Sequence, residues 1–251
     1  MSQTVGAILA GGLGTRLRSV VNDRPKVLAA VRGRPFLAYL LDQLGEAGIG
    51  RVVLLTGYRG EQIRDEFGDS YQGLRLEYSA ETDPLGTAGA LRLGFRKLFP
   101  DTPAGGAAAP ENVLVMNGDS YCAADLPAFR AFHERQSAEA SLILTRVADT
   151  SRFGKVEVAT GGRIERFLEK QQAGGAGWIN AGIYLIRRAL VAEIPQGRTV
   201  SIEREMFPGW TNRGILRGFP GTGEFLDIGT PESYRAAEAF FAGRTPAARA
   251  T

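Results

Sequence analysis

The sequence VGAILAGGLGTRLR, at residues 5–18, places an apolar run directly before a glycine-rich turn that contains two arginines. Residues 5–9 have the pattern of a strand buried on both faces, because such a strand needs no polar alternation. After it, Gly11, Gly12 and Gly14 would let backbone N–H groups approach an anion without obstruction by side chains. This opening stretch therefore predicts an α/β fold whose first loop binds phosphate.

Short apolar runs alternate with helical patterns through the rest of the first half. Strands are predicted at residues 52–55, 74–78 and 113–116, and helices at residues 36–44 and 88–95. Strands that alternate with helices imply right-handed crossovers and helices on both faces of the sheet. The fold class predicted from this pattern is α/β, with a Rossmann-like mixed, mostly parallel sheet flanked by helices.

The second half of the chain changes character, because strand patterns follow one another with little helix between them. Some of these strands are therefore predicted to be antiparallel. The predicted strands are residues 141–146, 155–159, 163–168 and 179–186. Helices are predicted at residues 200–207 and 231–241, with Thr230 as the N-cap of the second helix.

The composition argues against several classes of protein. The single cysteine, Cys122, cannot form a disulfide within the chain, which favours a reducing compartment. The apolar run at residues 5–10 is too short for a signal or membrane-spanning helix, so a cytoplasmic location and no membrane partner are expected. The net charge of +3 suits anionic partners, but no run of Lys and Arg indicates nucleic-acid binding. Whether the chain forms a homo-oligomer is left open.

Two cations extend the glycine loop. Arg16 ends the loop, and the pair Pro25-Lys26 follows after eight intervening residues. A planar guanidinium and a compact ammonium would together bind triphosphate oxygens. The loop is neither a Walker A motif nor a G-x-G-x-x-G fingerprint, since Leu17 stands at the last position and no Gly-Lys-Ser/Thr follows. A glycine turn with two surface cations is the alternative.

The run Gly11-Gly12-x-Gly14-Thr15-Arg16, with Pro25-Lys26 at this spacing, resembles the signature of sugar-1-phosphate nucleotidyltransferases. Further motifs match that family in order along nearly the whole chain. Residues 11–20 and 84–89 are most similar to D-glycero-α-D-manno-heptose 1-phosphate guanylyltransferases. Val27 departs from the pattern, since many family members carry a second proline there.

The resemblance implies transfer of GMP from GTP to a sugar 1-phosphate, giving GDP-heptose and pyrophosphate with Mg²⁺ as cofactor. Mannose 1-phosphate, or glucose 1-phosphate with UTP or dTTP, is left open as the substrate. Two other interpretations are a nucleotide-sugar glycosyltransferase and a catalytically silent nucleotide-sugar sensor or regulatory subunit. The first leaves Arg16 and Lys26 without a triphosphate to bind. The second would be expected to lose one of the charged residues of the site.

The motif at residues 81–89 is similar to the family's base-reading loop, in which the residue three positions before the proline contacts the nucleobase. Glu81 holds that position. A carboxylate only accepts hydrogen bonds, and guanine offers adjacent N1–H and N2–H₂ donors, which predicts GTP. The alternative is that Glu81 caps a helix or faces water. By resemblance the nucleotide-binding residues are Leu9, Ala10, Gly11, Gly12, Gly14, Thr15, Glu81, Pro84, Gly86 and Thr87.

The tripeptide Asn117-Gly118-Asp119 ends the fourth predicted strand. At the carboxyl end of a strand beside the phosphate loop, Asp119 is placed to bind Mg²⁺ together with phosphate oxygens. By resemblance Asp227 is the second metal ligand. The residues that the resemblance assigns to the sugar phosphate are Asn117, Gly118, Gly154, Glu169, Lys170 and Asn180. A solvated surface pair is the alternative for Glu169 and Lys170.

Arg16 and Lys26 are the predicted catalytic residues. A phosphate monoester is largely dianionic at neutral pH, because its second pKa is about 6, so the attacking oxygen needs no general base. The site would instead have to align two anions and neutralise their charge. The one histidine, His133, lies in a helical pattern and is predicted to be structural.

The domain organisation follows from the same motifs. Residues 1–242 are predicted to form one nucleotidyltransferase domain. Its first half, about residues 1–125, would bind nucleotide, and about residues 126–242 would bind the sugar phosphate. A flexible tail is predicted at residues 243–251.

Overall fold

The computed structural model describes residues 4–101, 108–168 and 174–243, and its largest feature is a mixed sheet of ten strands. The strands are β1 (Thr4–Ala10), β2 (Ala30–Val31), β3 (Arg34–Pro35), β4 (Arg51–Thr56), β5 (Ser70–Tyr71), β6 (Leu74–Ala80), β7 (Asn112–Asn117), β8 (Ser120–Cys122), β9 (Ala140–Val147), β10 (Lys155–Val158), β11 (Ile164–Leu168), β12 (Gly177–Arg187), β13 (Leu216–Pro220) and β14 (Phe225–Asp227).

The parallel core of the large sheet has β1 at its centre. The strand order is β11-β10-β12-β7-β1-β4-β6-β5, with β9 pairing β12 and β13 pairing β9. β1 runs parallel to both neighbours, so that Leu9 lies opposite Leu55 of β4 and Asn117 of β7. After β1 the chain adds β4 on one side of it, and later it adds β7 on the other side. Such a reversal opens a crevice at the carboxyl ends of the strands, where the glycine loop begins.

The long strand β12 joins this parallel core to an antiparallel part. Residues 183–187 of β12 pair antiparallel with β7, and residues 177–186 pair antiparallel with β9. Trp178, near the start of β12, also pairs antiparallel with Val156 of β10. The antiparallel strands predicted for the second half are therefore confirmed. β13, which runs parallel to β9, was not predicted.

Helices cover both faces of the large sheet, which confirms the predicted fold class. The α-helices are α1 (Phe36–Glu46), α2 (Gly60–Phe67), α3 (Gly86–Leu93), α4 (Phe95–Leu98), α5 (Leu126–Arg135), α6 (Arg188–Glu193), α7 (Phe207–Asn212) and α8 (Pro231–Phe240). One hydrophobic core lies against α1, α2, α5 and α8, and a second lies against α3, α4, α6 and α7. Each of these helices, within the described ranges, is too short or too polar to span a bilayer.

Two of the predicted helices differ from the structure. The helix predicted at residues 200–207 is a π-helical turn, Ile202–Met206, capped by the Ser201 side chain and followed directly by α7. The new helix begins at Phe207, and its second residue, Pro208, has no N–H to donate to the preceding turn. The pattern at residues 88–95 is divided at Gly94 into α3 and α4.

The predictions for the N-cap Thr230 and for His133 are confirmed. Thr230 caps α8, where its Oγ1 accepts a hydrogen bond of 3.2 Å from the Ser233 N–H. His133 is buried in the core, with its Nδ1 2.8 Å from the Ser141 Oγ. Burial, with a smaller effect from Arg187, lowers the pKa of His133 from 6.5 to about 4. His133 is therefore neutral and structural at physiological pH.

Candidate active site

The loop after β1 borders a cavity of about 180 Å³. Gly14 adopts a left-handed conformation with φ 59°, which favours glycine, and it leads into a 3₁₀ turn at Thr15–Leu17. This turn places Arg16 in the cavity wall. The predicted site residues that line the cavity are Leu9, Ala10, Gly12, Gly14, Thr15, Arg16, Lys26, Gly118 and Asp119.

Gly118, directly after β7, allows the end of that strand to lie close to β1. Its N–H donates a hydrogen bond of 3.0 Å to the Leu9 carbonyl. A Cβ atom at Gly118 would lie only 2.4 Å from that same carbonyl oxygen, so a larger residue would push the two strands apart. Gly118 was predicted to bind the sugar phosphate, but it borders the small cavity beside the glycine loop.

Gly12 is expected to tolerate a methyl group structurally but not functionally. A Cβ atom at Gly12 meets no atom within 4 Å, and Gly12 lines the small cavity. In Gly12→Ala we therefore expect stability within about 0.5 kcal/mol of the parent protein. GTP affinity should fall roughly 10- to 100-fold, because the methyl group enters the space in which phosphate would lie.

Thermal unfolding and calorimetric titration with GTP measure the two effects of Gly12→Ala separately. Gly50→Ala is the matched control, because a Cβ atom there also meets nothing within 4 Å and Gly50 does not line this cavity. Undiminished GTP binding by Gly12→Ala would contradict the assignment of the cavity to phosphate.

Lys26 projects into the same cavity from a second 3₁₀ turn, Lys26–Leu28. Val27 and Leu28 are buried and anchor this turn in the core. The Lys26 Nζ lies 2.8 Å from the Asp119 Oδ2, and the two side chains are 11% and 45% exposed. The ammonium is therefore fixed in position, and its partner carboxylate keeps access to solvent.

Asp119, directly before β8, and Asp227, the last residue of β14, lie at the same end of the small antiparallel sheet that these two strands form. Asp227 pairs with Ser120, and the Ile228 N–H donates a hydrogen bond of 2.8 Å to the Asp119 carbonyl. Both aspartates line a second, larger cavity of about 580 Å³. The Asp227 Oδ2 accepts a hydrogen bond of 3.0 Å from the Gly229 N–H, which orients that carboxylate.

This pair of carboxylates fits a hard divalent cation that shares its coordination with a phosphate. Mg²⁺ takes oxygen ligands and is commonly held by one or two carboxylates, with substrate phosphates and water completing its shell. In the ranges that the structure describes, no cluster of three or more His, Cys, Asp or Glu side chains is arranged for a metal. The two aspartates therefore suit a metal that completes its coordination with phosphate oxygens and water.

The larger cavity adjoins the first and shares Arg16 and Asp119 with it. Asn117, Gly154 and Asn180, which were predicted to bind the sugar phosphate, line its wall. The predicted contacts Glu169 and Lys170 lie outside the described residues, as do residues 244–251 of the predicted tail.

Glu81 lies beside the glycine loop without lining either of these two cavities. A Cβ atom on Gly11 would be 2.7 Å from the Glu81 Oε1, and one on Gly57 would be 3.0 Å from it. The Glu81 Oε2 accepts a hydrogen bond of 3.1 Å from the Leu85 N–H, just before α3. Burial raises the pKa of Glu81, and the Leu85 N–H opposes that effect.

The remaining predicted base-loop residues pack against the segment that precedes α7. The Pro84 carbonyl accepts a hydrogen bond of 2.9 Å from the Thr199 Oγ1. Gly86 has φ +72° and lies so close to the Val200 carbonyl that a Cβ atom would be 2.6 Å from its oxygen. The residues predicted to bind nucleotide that do not line either cavity are Gly11, Glu81, Pro84, Gly86 and Thr87.

Comparison with known proteins identifies the family of this chain. Residues 5–243 match the protein family described as Nucleotidyl transferase. The chain belongs to the nucleotidyl transferase family. The match covers both cavities and the loops that border them.

Two relatives of this nucleotidyl transferase have names that specify a sugar. A mannose-1-phosphate guanylyltransferase of Mycobacterium tuberculosis is 39% identical over 235 residues, which are 92% of this chain and 63% of that protein. A D-glycero-alpha-D-manno-heptose 1-phosphate guanylyltransferase of Aneurinibacillus thermoaerophilus is 36% identical over 231 residues, which are 92% of this chain and 95% of that protein. The chain therefore spans less than two thirds of the first relative's length.

A solved structure shares the whole fold of this nucleotidyl transferase. The crystal structure of HddC from Yersinia pseudotuberculosis has a TM-score of 0.79 at 29% identity, covering 96% of this chain and 100% of that one. A second crystal structure of HddC is a complex with GMP-PN and has a TM-score of 0.78. These matches confirm the predicted nucleotidyltransferase fold.

The nucleotidyl transferase also contains a polar network that the sequence did not reveal. The Glu203 Oε2 accepts hydrogen bonds of 3.0 Å from the Thr87 Oγ1 and 3.2 Å from the Ser201 Oγ. Its Oε1 accepts one of 3.2 Å from the Tyr184 hydroxyl, which in turn accepts one of 3.0 Å from the Asn180 amide. Burial raises the pKa of Tyr184, so the hydroxyl stays protonated and can donate to Glu203. The network joins α3 to the wall of the larger cavity.

Arg152 is a second residue that the sequence analysis missed. Its Nη2 lies 3.3 Å from the Asp227 Oδ1, and it lines the larger cavity beside Gly154. The signal in the sequence was its position two residues before Gly154, which the resemblance assigns to the sugar phosphate. The structure therefore places Arg152 with Arg16 and Lys26 among the cations of the two cavities, and Lys155 and Arg204 also line the larger one.

Proposed function

We propose that this chain transfers GMP from GTP to a sugar 1-phosphate and releases pyrophosphate. One observation carries the proposal. Arg16, Lys26 and Asp119 meet at the glycine-loop cavity, and Asp227 joins Asp119 at a larger cavity directly beside it. The first cavity suits phosphates, and the second has the size and polar lining for a sugar. In a glycosyltransferase, Arg16 and Lys26 would have no triphosphate to bind. A catalytically silent sensor would be expected to have lost one of the charged residues of the site.

The protein's task in this mechanism is to align two anions and neutralise their charge. The sugar phosphate is largely dianionic, so it can attack the α-phosphorus of GTP without a general base. Arg16, which has no ion-pair partner in the part of the chain that the structure describes, would stabilise the leaving pyrophosphate. Lys26 would draw charge from the α-phosphate as the bond to the leaving group breaks.

Mg²⁺ is the proposed cofactor, with Asp119 and Asp227 as its protein ligands. When bound, it would act as a Lewis acid on the phosphate oxygens. The hydrogen bond from the Gly229 N–H to Asp227 supports this assignment, because it orients one carboxylate in advance. The cytoplasm is the proposed location, since the reaction consumes GTP and Cys122 is a buried thiol.

D-glycero-α-D-manno-heptose 1-phosphate is the proposed acceptor. The resemblance of residues 11–20 and 84–89 and the 36% identity to a heptose enzyme support it. Mannose 1-phosphate is the second candidate, because the mannose relative has 39% identity. Asn117, Gly154 and Asn180 are the proposed sugar contacts at the larger cavity.

A matrix of four nucleoside triphosphates against several sugar 1-phosphates, scored by pyrophosphate release, tests the whole proposal. We expect GTP with the heptose phosphate to give the highest kcat/KM. No pyrophosphate from any pair would instead support the sensor or the glycosyltransferase. A clear preference for UTP or dTTP would overturn the assignment of Glu81.

Glu81→Gln tests the base preference directly. An amide can donate as well as accept, so it loses one of two matched contacts to guanine. We expect kcat/KM for GTP to fall about 10-fold or more, with a smaller change for UTP, since a bidentate base contact contributes about 1–3 kcal/mol of discrimination. Asp83→Asn, an exposed carboxylate in the same loop, is the matched control. An unchanged ratio of GTP to UTP activity would remove Glu81 from base recognition.

A further inference from the structure

Both carboxylates that suit a metal are already paired with cations. Lys26 lies 2.8 Å from the Asp119 Oδ2, and Arg152 lies 3.3 Å from the Asp227 Oδ1. A metal ion binding to these oxygens would stand beside a positive charge unless the cation moves. The conflict is sharpest at Asp227, because its Oδ1 pairs with Arg152 and its Oδ2 accepts a hydrogen bond from the Gly229 N–H.

The two cations differ in their freedom to move. The Lys26 side chain is only 11% exposed and extends from a turn anchored in the core. The Arg152 side chain is 55% exposed. It extends from a turn whose backbone is held by Asp149, which accepts a hydrogen bond of 3.0 Å from the Ser151 N–H. Arg152 thus combines a fixed Cα with a long side chain at the mouth of the larger cavity.

We propose that Arg152 exchanges partners during the reaction, neutralising Asp227 before the metal binds and then binding the phosphate of the incoming sugar 1-phosphate. A guanidinium can pair with two oxygens of either a carboxylate or a phosphate, so the same side chain suits both states. Once a divalent cation occupies Asp227, repulsion favours movement of Arg152 away from it. The larger cavity, which Arg152 lines with Gly154 and Asn180, is the place where the phosphate would arrive.

This proposal rests on the proposed function and adds a coupling between two ligands. Each ligand removes Arg152 from its ion pair with Asp227, one by taking the carboxylate and the other by taking the guanidinium. Binding of either should therefore strengthen binding of the other, and the factor must be the same in both directions. A cation that contacts only the sugar phosphate would contribute nothing to this coupling.

The test compares Arg152→Gln with the parent protein in binding and in turnover. Mn²⁺ binding to the protein, followed by the electron paramagnetic resonance of the free ion, should become about two- to fivefold tighter in Arg152→Gln, because an exposed competing ion pair is lost. Adding D-glycero-α-D-manno-heptose 1-phosphate, the proposed acceptor, should strengthen Mn²⁺ binding in the parent protein and should have a smaller effect in the variant. In turnover, KM for this heptose phosphate should rise about tenfold while kcat changes less.

Two controls define the outcome. Arg213→Gln removes an exposed arginine that pairs with Glu193 at 2.6 Å and lines neither cavity, so it should reproduce the parent values. Asp227→Asn should weaken Mn²⁺ binding whether or not Arg152 is present. Unchanged or weaker Mn²⁺ binding by Arg152→Gln, or equal enhancement by the heptose 1-phosphate in both proteins, would overturn the exchange. Failure of the proposed function would appear separately, as absence of pyrophosphate release by the parent protein.

Discussion

Lys26→Met is expected to lower kcat for pyrophosphate release by about 10²- to 10³-fold, the usual effect of removing one preorganised donor from a developing charge. Methionine keeps most of the length of the side chain and its packing, but it removes the ammonium that lies 2.8 Å from Asp119. Asp119 is 45% exposed, so water can solvate the carboxylate that loses its partner. The cost to stability should therefore be about 1 kcal/mol or less.

Burst or steady-state kinetics of pyrophosphate release, together with thermal unfolding, measure both effects of Lys26→Met. Lys97→Met is the matched control, because Lys97 is exposed on α4 and lines neither cavity. A folded Lys26→Met protein with the turnover of the parent would eliminate Lys26 from the mechanism. An unfolded variant would show that the lysine has a structural role that its partly exposed ion pair does not explain.

Asp119→Asn and Asp227→Asn are each expected to lower kcat/KM by roughly 10³-fold at fixed Mg²⁺, since metal stabilisation of transition-state charge amounts to several kcal/mol. An asparagine at 227 can still accept a hydrogen bond from the Gly229 N–H, so the shape of β14 should be retained. What each substitution removes is one of the two negative charges assigned to the metal.

Rates measured over a range of Mg²⁺ concentrations check this expectation. Both variants should need more Mg²⁺ for half-maximal rate, and their melting temperatures should stay close to that of the parent protein. Asp65→Asn, an exposed position on α2, serves as the control for loss of a carboxylate. A full rate at the Mg²⁺ concentration that the parent requires would exclude the substituted aspartate as a metal ligand.

Strands buried on both faces were predictable from the sequence because their apolar runs are continuous. Residues 5–9, 52–55 and 113–116 all lie within strands of the parallel core. β13 gave no such signal, since its five residues, Leu-Arg-Gly-Phe-Pro, include a glycine and a proline. Its place beside β9 depends on close packing, because a Cβ atom at Gly218 would lie 2.6 Å from the Leu144 side chain. This contact joins residues that are far apart in the sequence, so no local sequence pattern predicts it.

The residues of the candidate site also fall into those that the sequence predicted and those that it did not. Short motifs located Arg16, Lys26 and Asp119, because their spacing along the chain is itself the signal. The contacts of Arg152 and Glu203 could not be predicted, since each side chain pairs with a residue distant in the sequence. Arg152 pairs with an aspartate 75 positions away, and Glu203 accepts a hydrogen bond from a threonine 116 positions away.

The continuity of the large sheet limits how the site can open and close. β12 is hydrogen-bonded to β7 along one part of its length and to β9 and β10 along another, so the backbone that supports the larger cavity is joined to the strand that ends in Asn117. A hinge between the two cavities would have to break these ladder hydrogen bonds. Access for substrates must therefore be governed by rotamer changes and by the surface segments around the rim, while the catalytic floor stays rigid.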